Sequence, residues 1–164
     1  MHPMPPPSTD RRTVLRGILG VLAFAGKTPR AHAAGVLSAE AALDAMEAQS
    51  EAVEAGLQAL TANSRPLARA ASSFLADLRR HRQDRARVRK RLGLLPARVD
   101  TPSPKAATLA DLRAAQQELV SAHAEGIPAL ENPAAVAVIV LDLVDVARHL
   151  AVIDFWIEAE ASRE

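Results

Sequence analysis

Apolar side chains recur every three or four residues in four separate stretches of the chain, the spacing at which they line one face of an α-helix. The first stretch covers residues 38–62, and the second, 65–92, follows a short turn at Asn63-Ser64. The third covers 108–126 and the fourth 133–161. A composition rich in alanine, leucine, arginine and glutamate favours helices over strands. The pattern therefore predicts an all-α protein of four helices.

The predicted seams, the faces turned toward the core, hold polar as well as apolar residues. His81 and Arg85 share the face of the second helix with its apolar side chains, and Gln116 and His123 do so in the third. The fourth helix differs, because residues 134–141 are apolar on every side, and we expect it to be the most buried. The seam of the first helix is Leu43, Met46, Ser50, Val53, Leu57 and Leu60. That of the second is Leu67, Ala71, Phe74, Leu78, His81, Arg85, Val88 and Leu92, and that of the third is Leu109, Leu112, Gln116, Leu119 and His123.

The lengths of the connections indicate how the helices are joined. The first and third connections are short, which predicts two antiparallel hairpins. The segment Leu94–Ala107 contains three prolines and reaches roughly 46 Å when extended, enough to return along a second helix of roughly 39 Å. These lengths permit a ferritin-like four-helix bundle, in which a long crossover joins the two hairpins, and the family resemblance given below favours this fold. An up-down-up-down bundle with a loose loop is the alternative.

Residues 1–33 have the features of an export signal. Arg11 and Arg12 precede an uncharged run of ten residues, which is too short to span a bilayer. Ala31 and Ala33 form a small-x-small cleavage pattern. The arginine pair resembles a twin-arginine signal, and an ordinary secretory signal with a chance arginine pair is the alternative.

Export and cleavage would leave residues 34–164 as the mature domain in the periplasm or another compartment outside the cytoplasm. This part has fifteen basic and eighteen acidic residues, so its net charge of −3 disfavours nucleic acid as a partner. The sequence predicts no transmembrane helix in the mature domain. The absence of cysteine excludes disulfides, thiolate metal sites, cysteine nucleophiles and a lipoprotein anchor.

Several stretches of this domain resemble the small exported ferritin-like domain proteins of bacteria. Glu51–Ala55 resembles the Glu-Ala-Val segment of their first helix, and Phe74–His81 resembles Phe-Leu-x-His-Glu-Arg-x-His in the second. Asp145–Val152 resembles Asp-Glu-Ala-x-His-x-Ala-Val in the fourth. The third helix, 108–120, and the turn Ala129–Pro133 also fit, so the resemblance covers most of residues 38–157.

The resemblance implies where a dimetal centre would lie. Such a centre uses a Glu from each of two helices and a Glu-x-x-His from each of the other two. His81 and His149 match the histidines, whereas the two Glu positions before them are occupied by Leu78 and Val146. Aliphatic side chains cannot neutralise two Fe or Mn ions, which prefer oxygen ligands. The sequence therefore argues against a functional dimetal centre.

The remaining two carboxylate positions depend on the register of the resemblance. In the first helix the position falls on Gln49 or Glu51, and in the third on Gln116, Gln117 or Glu118. We expect no cofactor, with the histidines hydrogen-bonded inside the bundle to partners such as Asp142, Asp145, Glu51 or Glu118. The alternative is a reduced Fe, Mn or Zn site, whose best candidate ligands are His81, His149, Glu51 and Glu118.

These observations favour a non-catalytic binding or structural protein of the cell envelope over an enzyme. Its partner would be an envelope protein or a small ligand, and a homo-oligomer is a further possibility. The first helix is acidic and the second is basic over Arg79–Arg91. We expect antiparallel pairing to bring Glu40 and Asp44 to the Arg89–Arg91 end, and Glu51 and Glu54 to Arg79 and Arg80. The basic face serves either this charge matching or the docking of anionic lipid or an acidic partner.

Overall fold

A computed structural model describes residues 37–62, 65–97 and 108–162 of the chain. These residues belong to one compact unit, Ala34–Glu164. The predicted signal, including Arg11, Arg12, Ala31 and Ala33, lies outside the described residues, as does the predicted turn at Asn63-Ser64. The described parts of the chain contain helices and no strands. The helices are α1 (Ala39–Ala62), α2 (Arg65–Arg91), α3 (Leu109–Gly126) and α4 (Pro133–Ala161), with a 3₁₀ turn at Ile127–Ala129.

Local side-chain chemistry explains where the helices begin and end. Thr108 and Asp111 form a capping box at the start of α3, in which each side chain accepts a hydrogen bond from the other's backbone N–H. The Asn132 side chain accepts from the first N–H groups of α4, and Pro133 occupies a position where no N–H is needed. Gly93 ends α2 with a φ of +70°, the left-handed conformation that glycine adopts readily. Each predicted helix boundary is confirmed to within one residue.

Contacts within each hairpin show antiparallel packing. On α1 and α2, Asp44 pairs with Arg89 near one end, and Glu54 pairs with Arg82 farther along. On α3 and α4, Arg113 pairs with Asp154 at 2.5 Å. The predicted hairpins are therefore present.

Contacts between the hairpins fix the directions of all four helices. Gly126 near the end of α3 packs on Ala42 near the start of α1, whereas Gly56 farther along α1 lies against Leu112 near the start of α3. The α1–α3 pair is therefore antiparallel, and polar contacts described below show the same for α2 and α4. It follows that α2 and α3 run in the same direction. The connection between them includes residues 98–107, which lie outside the described residues.

The seams predicted from periodicity form the core. All of the predicted seam positions that the structure describes are buried except Leu60, Leu92 and Leu109, which are partly buried. Leu67 is a position whose side chain the structure does not describe. Periodicity succeeds here because a helix with neighbours on one side buries only the face turned toward them.

The expectation that α4 is the most buried of the four helices is wrong, since six of its 29 residues are buried, compared with seven of 24 in α1. Ala134, Ala137, Val140 and Leu141 are exposed, and Leu141 retains 69% of its accessible surface. The reason is the number of neighbours: α4 packs against α2 and α3, and no helix among the described residues covers its opposite side. An all-apolar sequence segment thus gives α4 one buried face and one exposed apolar face.

Candidate functional site

Two aspartate–histidine pairs cross between α2 and α4. His81 Nε2 lies 3.3 Å from Asp145 Oδ2, and His149 Nε2 lies 3.1 Å from Asp77 Oδ2. In each helix the aspartate precedes the histidine by four residues, so both side chains lie on one face. Because the helices are antiparallel, the aspartate of one meets the histidine of the other.

Two arginines complete the arrangement. Arg80 donates to Asp145 at 2.6 Å and Arg148 donates to Asp77 at 3.1 Å, so each carboxylate also bonds the arginine of the opposite helix. Each arginine also lies near the aspartate three residues before it, at 3.1 Å for Arg80 and 3.4 Å for Arg148. We call this arrangement the Asp–Arg–His cluster; it comprises Asp77, Arg80 and His81 of α2 and Asp145, Arg148 and His149 of α4.

The charges of the cluster balance without an added cation. Burial lowers the pKa of His81 and of His149, and the hydrogen bonds to Asp145 and Asp77 only partly oppose this. The imidazoles are therefore neutral near pH 7 and donate through Nε2–H to the carboxylates. The two carboxylates are in turn matched by two guanidinium groups.

Aromatic side chains close the cluster at the His149 side. Phe74 of α2 stacks on the His149 imidazole with ring centroids 3.9 Å apart, and Trp156 stacks on Phe74 at 5.4 Å. Trp156 packs inward, whereas Phe155 is 65% exposed.

A second polar group, the polar centre, lies inside the bundle and draws on all four helices. Arg85 is 1% exposed, and its Nε donates to Glu47 at 2.8 Å. Its two terminal nitrogens have no hydrogen-bond partner in the described protein. The other buried side-chain atoms without a hydrogen-bond partner in the described protein are Ser50 Oγ, His81 Nδ1, Gln116 Oε1, His123 Nε2 and Asp142 Oδ2.

The hydrogen bonds that are formed decide which atoms remain available. His123 Nδ1 donates to the Leu119 carbonyl at 2.8 Å, and Gln116 Nε2 donates to the Val146 carbonyl at 2.8 Å. Since the ordinary neutral imidazole has one N–H, His123 Nε2 is an acceptor. His123 Nε2 is therefore an unpaired acceptor near the Arg85 guanidinium, whose charge acts on both His123 and Asp142.

Burial shifts the pKa values of two members of the polar centre in opposite senses. Burial raises the pKa of Asp142 to about 7, with the positive charge of Arg85 opposing the shift. Burial lowers the pKa of His123 to about 4, and the nearby Arg85 lowers it further. Asp142 is therefore half protonated near neutral pH, whereas His123 is neutral.

The four candidate metal ligands are not gathered at one point. His81 and His149 belong to the Asp–Arg–His cluster, Glu51 lies 3.7 Å from Arg82 between α1 and α2, and Glu118 is exposed on α3. Of the proposed hydrogen-bond partners, Asp145 is confirmed for His81, and Asp142 lies 3.8 Å from the same nitrogen. No three His, Asp or Glu side chains in the described ranges are arranged to hold a metal ion.

Sequence reasoning missed Asp77, the partner of His149. The signal was present, since Asp-x-x-Arg-His occurs twice, at 77–81 and at 145–149. Comparison with Glu-x-x-His directed attention to Leu78 and Val146, one position later in each helix. Both of these side chains are buried apolar residues of the core.

A groove of about 720 Å³ runs along α1 and α2 beside the segment that follows α2. Its charged walls are largely paired: Arg82 contacts Glu47 at 2.7 Å and Glu54 at 3.2 Å, and Arg89 contacts Asp44. Arg89 also approaches the Glu40 carbonyl, so the expected pairing of the acidic helix start with the basic helix end is confirmed. The groove is therefore a surface of matched charges.

The other expected ion pairs are wrong. Glu51 and Glu54 meet Arg82 and not Arg79 or Arg80, because Arg80 turns toward α4 and Arg79 is exposed. Arg87, within the same basic stretch, pairs with Asp84 of its own helix.

None of the helices in the described part of the chain has the length and apolar character needed to cross a membrane. Comparison with protein-family models, with curated proteins and with solved structures gives no significant match.

Proposed function

We propose that this chain is an exported ferritin-like bundle in which the Asp–Arg–His cluster stands where related bundles hold two metal ions. In this proposal the protein is a non-catalytic binding or structural component of the cell envelope. The observation that carries the proposal is the crossed pairing of His81 with Asp145 and of His149 with Asp77.

The directions of the helices support the ferritin-like assignment. Since α2 and α3 run in the same direction, the two hairpins need one long connection, as in ferritin-like bundles. An up-down-up-down bundle would make α2 and α3 antiparallel. The resemblance of the helix sequences to exported ferritin-like proteins points the same way.

Charge balance supports the absence of a dimetal centre. Two divalent ions add at least four positive charges, which ferritin-like sites neutralise with four carboxylates. Here Asp77 and Asp145 already accept hydrogen bonds from Arg148 and Arg80. A metal ion would have to displace these guanidinium groups and leave two arginines without their partners.

A second candidate function rests on the polar centre. His81 Nδ1, His123 Nε2 and Asp142 Oδ2 are buried and have no partner in the described protein, and such atoms are potential ligands of Fe, Mn or Zn. The Arg85 guanidinium beside them opposes a cation, and no three such side chains in the described ranges are arranged to hold a metal ion. For these reasons we rank metal binding below the non-catalytic function.

Metal analysis of untagged protein from the exported fraction tests the proposal. We expect far less than one equivalent of Fe, Mn, Zn or Cu, and no rise in Tm when these ions are added. Near-stoichiometric metal that is lost in the His81→Ala/His149→Ala variant would refute the proposal. Metal that is lost in His123→Ala but retained in His149→Ala would establish the second candidate function instead.

A further inference from the structure

The outward face of α4 is an apolar stripe with coiled-coil spacing. Its residues follow one another at alternating intervals of three and four, and all are exposed. Leu141, Val144 and Phe155 retain 69%, 45% and 65% of their accessible surface. The stripe comprises Ala134, Ala137, Leu141, Val144, Arg148, Ala151, Phe155 and Glu158.

A solvent-facing helix surface is normally polar. Between Glu131 and Asp145 the only charged residue is Asp142, which is buried, so the first three turns of α4 present no charge to solvent. Of the six large hydrophobic residues that are exposed in the described chain, four lie on α4: Val140, Leu141, Val144 and Phe155. A contiguous apolar face of this kind marks a contact surface.

The order of large and small residues along the stripe identifies the occupant. Consider two copies of α4 packed antiparallel, with their Val146 residues at the same level. In this register Leu141 of one copy faces Ala151 of the other, and Ala137 faces Phe155. Leu141 and Phe155, the two largest apolar side chains of the stripe, then each meet an alanine, the arrangement that lets facing layers interdigitate. We propose that α4 packs antiparallel against α4 of a second copy of this chain, about a two-fold axis.

Charge favours the antiparallel arrangement over a parallel one. A parallel pair would place Arg148 opposite Arg148, and like charges at one level repel. In the antiparallel pair Arg148 faces Val144 of the second copy and lies one residue from its Asp145. Arg148 is 60% exposed in its side chain and so has donors to spare for this carboxylate.

The size of the stripe sets the strength of the dimer. Ala134 to Glu158 spans about 36 Å of helix, and a stripe about 10 Å wide gives roughly 360 Å² on each copy. Stable interfaces bury about 800 Å² on each partner. We therefore expect a weak dimer whose formation depends on protein concentration.

Engineered cysteines test the register directly, because the chain has no cysteine of its own. We expect a Leu141→Cys chain mixed with an Ala151→Cys chain to form a disulfide-linked dimer under mild oxidation. Leu141→Cys alone should not, since ten residues, or about 15 Å of helix, separate the two copies of position 141. A mixture of Leu141→Cys with Gln117→Cys, an exposed position of α3, is the matched control.

Sedimentation of the full chain over a micromolar concentration series measures the association itself. We expect Leu141→Glu to weaken it at least tenfold and Gln117→Glu to leave it unchanged. A chain that stays monomeric throughout the series overturns the proposal and leaves the stripe to a lipid surface or another protein. Efficient cross-linking of Leu141→Cys with itself overturns the antiparallel arrangement.

Discussion

Arg85 carries a full charge at a position where water is excluded, and Glu47 is its only ion-pair partner in the described chain. Removal of one member of a buried pair leaves the other charge uncompensated, which is far more costly than loss of an exposed pair. The contact between Glu47 and Arg85 therefore matters more to stability than the more exposed contacts of Arg82.

We predict that Glu47→Gln lowers the free energy of unfolding by about 3 kcal/mol. Glu54→Gln, which removes only a partner of the half-exposed Arg82, should cost about 1 kcal/mol or less. Urea denaturation of both variants measures the difference. Equal effects would mean that the polar centre supplies Arg85 with another counter-charge.

Asp142 provides a pH-dependent contribution whose sign follows from its raised pKa. Because the folded state holds the proton up to about pH 7, while the unfolded chain releases it near pH 4, this contribution is full below pH 4 and is lost as pH rises through 7. The histidines act in the opposite sense. The pKa values of His81, His123 and His149 are lowered, so their contributions are present above pH 6.5 and are lost as pH falls.

We predict that Asp142→Asn gains about 1 kcal/mol relative to the wild type between pH 6 and pH 8. The comparison isolates Asp142, since both proteins share the histidine contributions. Unfolding free energies from urea titrations at the two pH values give the measurement. A stability difference between Asp142→Asn and the wild type that stays constant over this pH range would contradict the assignment.

At the scale of elements, α1 and α3 lie close together where Gly126 faces α1. A methyl group at Gly126 would overlap the Met46 side chain and lie 3.1 Å from Ala42 Cβ. At Gly56 in the same helix pair, a methyl group would lie 3.4 Å from Leu112 Cδ1, an ordinary contact. A methyl group therefore fits at Gly56 but not at Gly126 without movement of its neighbours.

We predict opposite effects of alanine at these two positions. Gly126→Ala should lower Tm, with a cost of roughly 1–3 kcal/mol, because the end of the buried Met46 side chain must move and Ala42 must give way slightly. Gly56→Ala should raise Tm through a gain of about 0.5–1 kcal/mol in helix propensity. Thermal unfolding followed by circular dichroism checks both, and a stabilising Gly126→Ala would show that the helices do not meet so closely.

The elements also show what sequence can and cannot predict. Helix limits and seams were predicted because caps and periodicity are local signals, read within one helix. The pairing of His149 with Asp77 was not, because it depends on the register between two helices that are distant in sequence. The exposed face of α4 was missed for a related reason: apolar residues on every side of a helix do not reveal how many neighbours the fold supplies.

At the scale of the whole molecule, export is the part of the proposed function that rests on residues 1–33. We predict that Arg11→Lys/Arg12→Lys abolishes export by the twin-arginine route, leaving the uncleaved chain in the cytoplasm. Arg16→Lys, outside the pair, is the control and should export normally. Cell fractionation gives the readout, and normal export of the double variant would indicate an ordinary secretory signal.

The two histidine–aspartate pairs between α2 and α4 also determine how the protein unfolds. Neither hairpin supplies the carboxylate that its own His81 or His149 bonds, because each of these two imidazoles pairs with an aspartate on the other hairpin. Loss of one hairpin would leave the other with unpaired buried groups, so the two unfold together as one cooperative unit. Trp156, the single tryptophan, reports on this event because it stacks on Phe74 of the opposite hairpin. Its fluorescence and the helical circular dichroism signal should therefore change at the same denaturant concentration.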